Sequence, residues 1–135
     1  MARARVLGMA VSIAVLIGLA IPAWSHHSFA AEFDAENCRD FTGTFTALDW
    51  QSPHAFFNVD VIEEDGTVSD WTFQTYALIT LRRAGNGREV FMQNVGKEVW
   101  VRGCLARNGR ERYAAAGRLR FASDGILRQM GQIQN

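Results

Sequence analysis

Residues 55–76 narrow the fold most. AFFNVDVI (55–62) alternates apolar and polar residues, with Phe57, Val59 and Val61 on one side and Asn58 and Asp60 on the other. EEDG (63–66) ends in an Asp-Gly pair, and VSDWTFQTY (68–76) resumes in Thr and aromatic residues. Period-two alternation on both sides of an Asp-Gly turn specifies a β-hairpin with one buried face.

The flanking segments extend that hairpin into an all-β order. FTGTFTALDW (41–50) is rich in Thr and aromatics, and its apolar residues change phase at Leu48 and Trp50. Gly43 or a bulge accounts for such a change of face. Pro53 in QSPH (51–54) interrupts the run. ALITLRRAG (77–85) has helical spacing and a Gly stop, whereas NGREVFMQNVG (86–96) reads as a loop with at most a helical turn. KEVWVRGCLARNG (97–109) and RERYAAAGRLRFAS (110–123) read as strands, and ILRQM (126–130) as a short last one. The expected architecture is all-β with one short helix: an OB-like five-stranded barrel in the order strand-strand-strand-helix-strand-strand. A β-sandwich of this size needs more strands.

The first residues differ from this pattern. Arg3 and Arg5 precede an uncharged apolar run from Val6 to Ile21, followed by Pro22 and the small residues of Ala23-Trp24-Ser25. Charge, apolar run and small residues in that order form a secretory signal peptide. The run is shorter than the ~20 residues that a spanning helix needs. The expected organisation is a signal peptide over 1–25 and one domain over 26–135, opening with an irregular arm (26–39). The expected location is periplasmic or secreted, with no stable membrane span after cleavage. Without the leader, twelve basic residues face fourteen acidic ones, a net charge of −2. That balance argues against nucleic acid as a partner. Arg102, Arg107, Arg110, Arg112, Arg118, Arg120 and Arg128 crowd the last strands. They read as solvated strand positions that discourage edge pairing.

Two cysteines remain, Cys38 and Cys104. An even count in an exported chain points to a disulfide, the alternative being two separate buried thiols. Their spacing fits no C-x-x-C redox or zinc motif.

Cleavage after Ser25 makes His26 the first residue. A free α-amine and an imidazole then share one residue, and both lose protons near neutral pH. Together with His54, held after Pro53, they form a nitrogen set suited to Cu(II). His27 offers another arrangement, through the amine, the intervening amide and its own imidazole. Glu32 and Asp34 lie close enough in sequence to add oxygens or supporting hydrogen bonds. The competing reading is a solvated arm, with His54 bonded to Asp49 across the turn. No serine sits in a nucleophile elbow. Asp49 and Asp60 provide carboxylates without a visible partner, so no catalytic set is assigned and the enzyme reading is the weaker one. The expected function is a small exported binding module of unknown ligand that holds copper at its first residue. The alternative is a structural or protein-interaction module of the periplasm without metal.

HHSFAAEFD (26–34) and DWQSPHA (49–55) also carry a resemblance. The chain resembles a family of small exported bacterial proteins of unknown function, whose outline is a mature start near HHSF, a W-x-N-P-H strand end, a D-G hairpin and a late G-x-x-A-x-x-G strand. Trp50, Pro53, His54, Asp65, Gly66, Gly103, Ala106 and Gly109 match it. Ser52 stands where the family has Asn, Gly85-Asn86 replaces a Gly-Trp pair, and the cysteine pair is atypical. The resemblance implies a secreted β-rich domain and directs attention to His26, His27 and His54.

Overall fold

The computed structural model describes residues 29–132. A four-residue helix, α1 (Phe29–Glu32), leads into β1 (Phe33–Trp50), followed by β2 (His54–Ile62) and β3 (Val68–Ala77). Two further short helices, α2 (Leu78–Arg83) and α3 (Arg88–Met92), precede β4 (Glu98–Ala106), β5 (Tyr113–Phe121) and β6 (Leu127–Gln129). The strands form one six-stranded sheet in the order β3-β2-β1-β4-β5-β6, antiparallel throughout this order, and an additional parallel β3–β5 pairing returns the sheet to its other side.

The predicted hairpin is present. Phe57 faces Phe73 and Val59 faces Trp71 across β2–β3. At its tip Gly66 adopts φ +82°, and Asp65 Oδ1 accepts from both the Thr67 backbone N–H and its hydroxyl. These bonds hold the Asp65 carboxyl below its ordinary pKa.

β1 organises the rest. Its first part pairs with β4 and its second with β2, and Gly43 lies opposite both Val99 and Val61. A Cβ at Gly43 would stand 2.0 Å from the Asp60 carbonyl oxygen, so only glycine permits this approach. The expected change of face is a register shift between Phe45 and Ala47. The expected arm and the helix count meet the structure differently. The arm enters β1 from Phe33 onward, pairing with β4 at Phe33 and again from Cys38, with an irregularity between the two, and its partner lies 66 residues away at the cysteines. Among the described residues there are three short helices rather than one. α1 and α3 span four and five residues, too few for a helical period to register.

The main core is aromatic. Phe45 packs edge-on against Phe121 at 5.3 Å, and Phe57 stacks on Phe73 at 5.2 Å. α2 and α3 add Leu81 and Phe91, both fully buried. A second, smaller cluster sits apart: Phe33, Tyr113 and Ala115, with Phe29, Phe56 and Ala106 partly buried against it. Cys38 and Cys104 are directly opposed in β1–β4 and form the disulfide. By the chain-entropy account, closing a loop of this length stabilises the fold by about 4 kcal/mol.

Candidate functional site

A cavity of about 300 Å³ lies beside the smaller cluster, with Phe29, Phe33 and Tyr76 among its apolar lining and Glu32, His54 and Gln74 among its polar lining. Its walls come from segments far apart in sequence. Thr72–Gln74 of β3 runs parallel to Tyr113–Ala115 of β5, which places Gln74 beside Ala115. His54 opens β2 next to the end of β3, opposite Ala77. Phe33 pairs with Ala106 at the end of β4, and this pairing brings α1 over the strand ends. Tyr76 N–H donates to the Met130 carbonyl, so the chain after β6 reaches the same region.

His54 is half-buried and its Nδ1 lies 2.9 Å from the Thr75 carbonyl oxygen. A carbonyl can only accept, so Nδ1 carries the proton. In the neutral ring this leaves Nε2 with a free lone pair. Metal-binding histidines are prepared in the same way, the second nitrogen fixing tautomer and ring orientation. The expected partner Asp49 plays no part in this bond.

Opposite in chemistry is a chain of polar groups around Tyr113. Its hydroxyl lies 2.5 Å from Gln74 Oε1 and 3.2 Å from Glu32 Oε1. Burial pushes the phenol pKa up to about 12, and the Glu32 charge pushes it the same way, while the nearby Arg110 opposes both. Tyr113 therefore remains a hydrogen-bond donor at neutral pH.

Arg107 fixes the arm. Its Nε donates to the carbonyls of Ala30 (2.9 Å) and Phe33 (3.2 Å), and its backbone N–H donates to that of Glu32 (2.9 Å). Its guanidinium also pairs with Asp34 at 3.3 Å. One side chain and its own backbone thus satisfy the end of α1, which is too short to be stable alone. The same pairing occupies Asp34, which the sequence offered as an oxygen donor.

The other expected residues divide as follows. His26 and His27 lie outside the described residues, as does the apolar run of the expected leader. Cys38 and Cys104 are joined. Asp49 and Asp60 share no cavity with His54; Asp60 faces Asp70 across β2–β3. Of the late arginines, Arg102 and Arg128 bind Asp40 and Asp124, and Arg120 lies over the Trp100 ring at 5.5 Å. Among the described residues no three His, Cys, Asp or Glu side chains converge on one point. No helix among them is long and apolar enough to cross a membrane. Reading the sequence missed the roles of Tyr113, Gln74 and Arg107. None carries a motif, and only the parallel β3–β5 pairing and the β1–β4 pairing bring them to the cavity.

Fold and site together define a small, mostly β protein with a cavity, lined by His54, beside the start of β1. The chain belongs to a family of unknown function (DUF6152), whose family model matches residues 13–115. No curated protein and no solved structure matches it.

Proposed function

We propose that the protein is an exported periplasmic binding module, an OB-like barrel closed through β3 and β5, that takes Cu(II) at the His54 cavity. The observation that carries this reading is the His54 ring: Nδ1–H is committed to Thr75, Nε2 has no hydrogen-bond partner among the described residues, and the ring lines a cavity shared with Phe29 and Glu32. Phe29 follows His27 by two residues and His26 by three. After cleavage before His26, the α-amine and imidazole of that residue are two nitrogens and His54 Nε2 is a third. His27 is the alternative donor on the arm. Nitrogen donors in this number favour Cu(II) over harder cations.

The test is a Cu(II) titration of the protein purified from a periplasmic preparation, with the first residue established by intact mass. One equivalent binds tightly, binding is lost in His26→Ala, and it is weakened in His54→Ala. A chain that does start at His26 and binds no copper overturns the reading. One observation favours the metal-free alternative. Ile62 and Val68, 63% and 64% exposed, face each other next to the hairpin tip. A pair so exposed suits contact with another protein. Loss of a co-purifying partner in an Ile62→Ser, Val68→Ser variant, with no copper bound by either chain, would favour that reading.

A further inference from the structure

We propose that the His54 cavity binds a small organic amine in its protonated form, with the ammonium group paired to Glu32 and the apolar body against Phe29 and Phe33. Of the proposed function the inference takes only that this cavity holds a ligand. It uses no residue before Phe29 and needs no copper.

Size is the first argument. About 300 Å³ is far more than a bare ion fills. It lies at the small end of cavities that hold organic ligands, which suits a molecule of about ten non-hydrogen atoms. Phe29 and Glu32, three apart on α1, share one face of that turn, and Phe33 follows directly. All three border the cavity, and the two phenyl rings lie 5.4 Å apart. An apolar wall and a half-buried carboxylate therefore reach the cavity from one short segment.

Hydrogen bonding is the second. The donor protons around the cavity are already committed. His54 Nδ1–H goes to the Thr75 carbonyl. The Thr75 hydroxyl lies 3.0 Å from the Ala55 carbonyl oxygen and 2.9 Å from that of Tyr76, so its proton goes to the backbone. The single proton of the Tyr113 phenol serves Gln74 Oε1 or Glu32 Oε1. The acceptors are less fully used. His54 Nε2 and Glu32 Oε2 accept no hydrogen bond among the described residues. The Gln74 and Gln132 amides can donate or accept.

Charge is the third. The carboxylates of Glu63, Asp40, Asp34 and Asp124 each pair with an arginine, and Glu32 has no such partner among the described residues. Arg107 sends its guanidinium to Asp34. Arg110 lies over the Tyr113 ring at 3.9 Å and borders a different cavity, beside Glu111. Among the described residues no lysine or arginine lines the His54 cavity. A negative charge, spare acceptors and aromatic walls select a ligand that brings positive charge and N–H donors. An anion finds no counter-charge there.

The experiment uses protein from a periplasmic preparation, stripped of metal with a chelator. Three probes share one body: phenethylamine is a cation, phenethyl alcohol is neutral and phenylacetate is an anion. Binding is read by calorimetry and by amide shifts in α1 and at the end of β3. The amine binds about tenfold or more tighter than the alcohol, and phenylacetate does not bind. Glu32→Gln brings the amine down to the affinity of the alcohol and changes the alcohol by less than about threefold. Phe29→Ala weakens both probes alike, because it removes apolar contact rather than charge. Should Glu32→Gln fail to fold, the order of the three probes on the wild type decides. No binding of the amine, an alcohol that binds as tightly as the amine, or a folded Glu32→Gln with wild-type amine affinity overturns the proposal. The protein is metal-free, so none of these results bears on the copper titration, and a failed copper titration leaves the amine site standing.

Discussion

The two apolar clusters are held together by different physics. The larger one, around Phe45, Phe57, Phe91 and Phe121, is sealed by ring against ring with almost no polar atom involved. The smaller one, around Phe33 and Tyr113, buries only three residues and is fastened by directional bonds: Arg107 to the arm, Tyr113 to Glu32, and the disulfide at its border. Area burial grows with every apolar atom removed from water, whereas each hydrogen bond adds only about 1 kcal/mol net. The first cluster sets global stability. The second sets the position of a few groups around a cavity and can open at modest cost.

The sharpest way to break this contrast is to truncate one side chain in each cluster. Phe57→Ala removes a fully buried ring that touches both Phe45 and Phe73. It lowers stability by about 4 kcal/mol, read as a fall in the denaturation midpoint with the slope unchanged. The same truncation at half-buried Phe29 costs well under half as much. Equal losses would mean that the arm belongs to the cooperative core.

The disulfide comes next. Cys38→Ser with Cys104→Ser lowers stability by about 3–4 kcal/mol, mainly by freeing the unfolded chain. Phe33 and Arg107 still fasten the arm, so hydrogen exchange at 29–33 rises only in step with global unfolding. Selective exposure of the arm in the double variant would show that the bridge, rather than the arginine, holds it.

The two regions also differ in how visible they are in the sequence. Phe57, Val59 and Val61 announce the core strand through alternation, and Asp65-Gly66 announces its turn. Both signals are local, and the structure reproduces both. Gly43, the bulge before Ala47 and the cysteine pair were legible for a related reason: each is a residue type with few structural uses. The cavity was legible only at His54 and Glu32. Its remaining walls come from residues 29, 33, 74–76, 115 and 131–132, which no period or spacing connects. α1 has four residues, and its stability lies in Arg107, whose sequence context is that of an ordinary charged loop end.

Arg107→Ala sharpens the comparison further. It removes two bonds to carbonyls at the end of α1 and the ion pair to Asp34. The guanidinium is half exposed, so the global cost is about 1 kcal/mol. Amide exchange at residues 29–34 accelerates while exchange in β2 and β3 stays as in the wild type. Arg107→Lys restores the charge but not the forked donation, and recovers little of the protection. Uniform acceleration across the protein would place the arm back in the core.

The smallest expected effect is set by alkali and is confined to the second cluster. The Tyr113 phenol titrates near 12 in the folded protein because of burial and the adjacent Glu32, against about 10 in an unfolded chain. A raised pKa means that the folded state holds this proton more tightly. The associated stability is fully present below pH 10 and is lost as the pH climbs from 10 through 12. The phenolate would face the Glu32 carboxylate at hydrogen-bond distance, and no proton would remain between them. The arm, tied through Glu32, should therefore loosen before the aromatic core does. Phenolate absorbance, assigned with a Tyr76→Phe variant, should rise together with exchange at residues 29–34 and ahead of the loss of near-ultraviolet circular dichroism from the core. In Tyr113→Phe the alkaline step in the arm disappears, because the variant has no proton to lose there. If absorbance and core dichroism instead change together at one pH, Tyr113 is released only by global unfolding, and the cavity is as rigid as the core beside it.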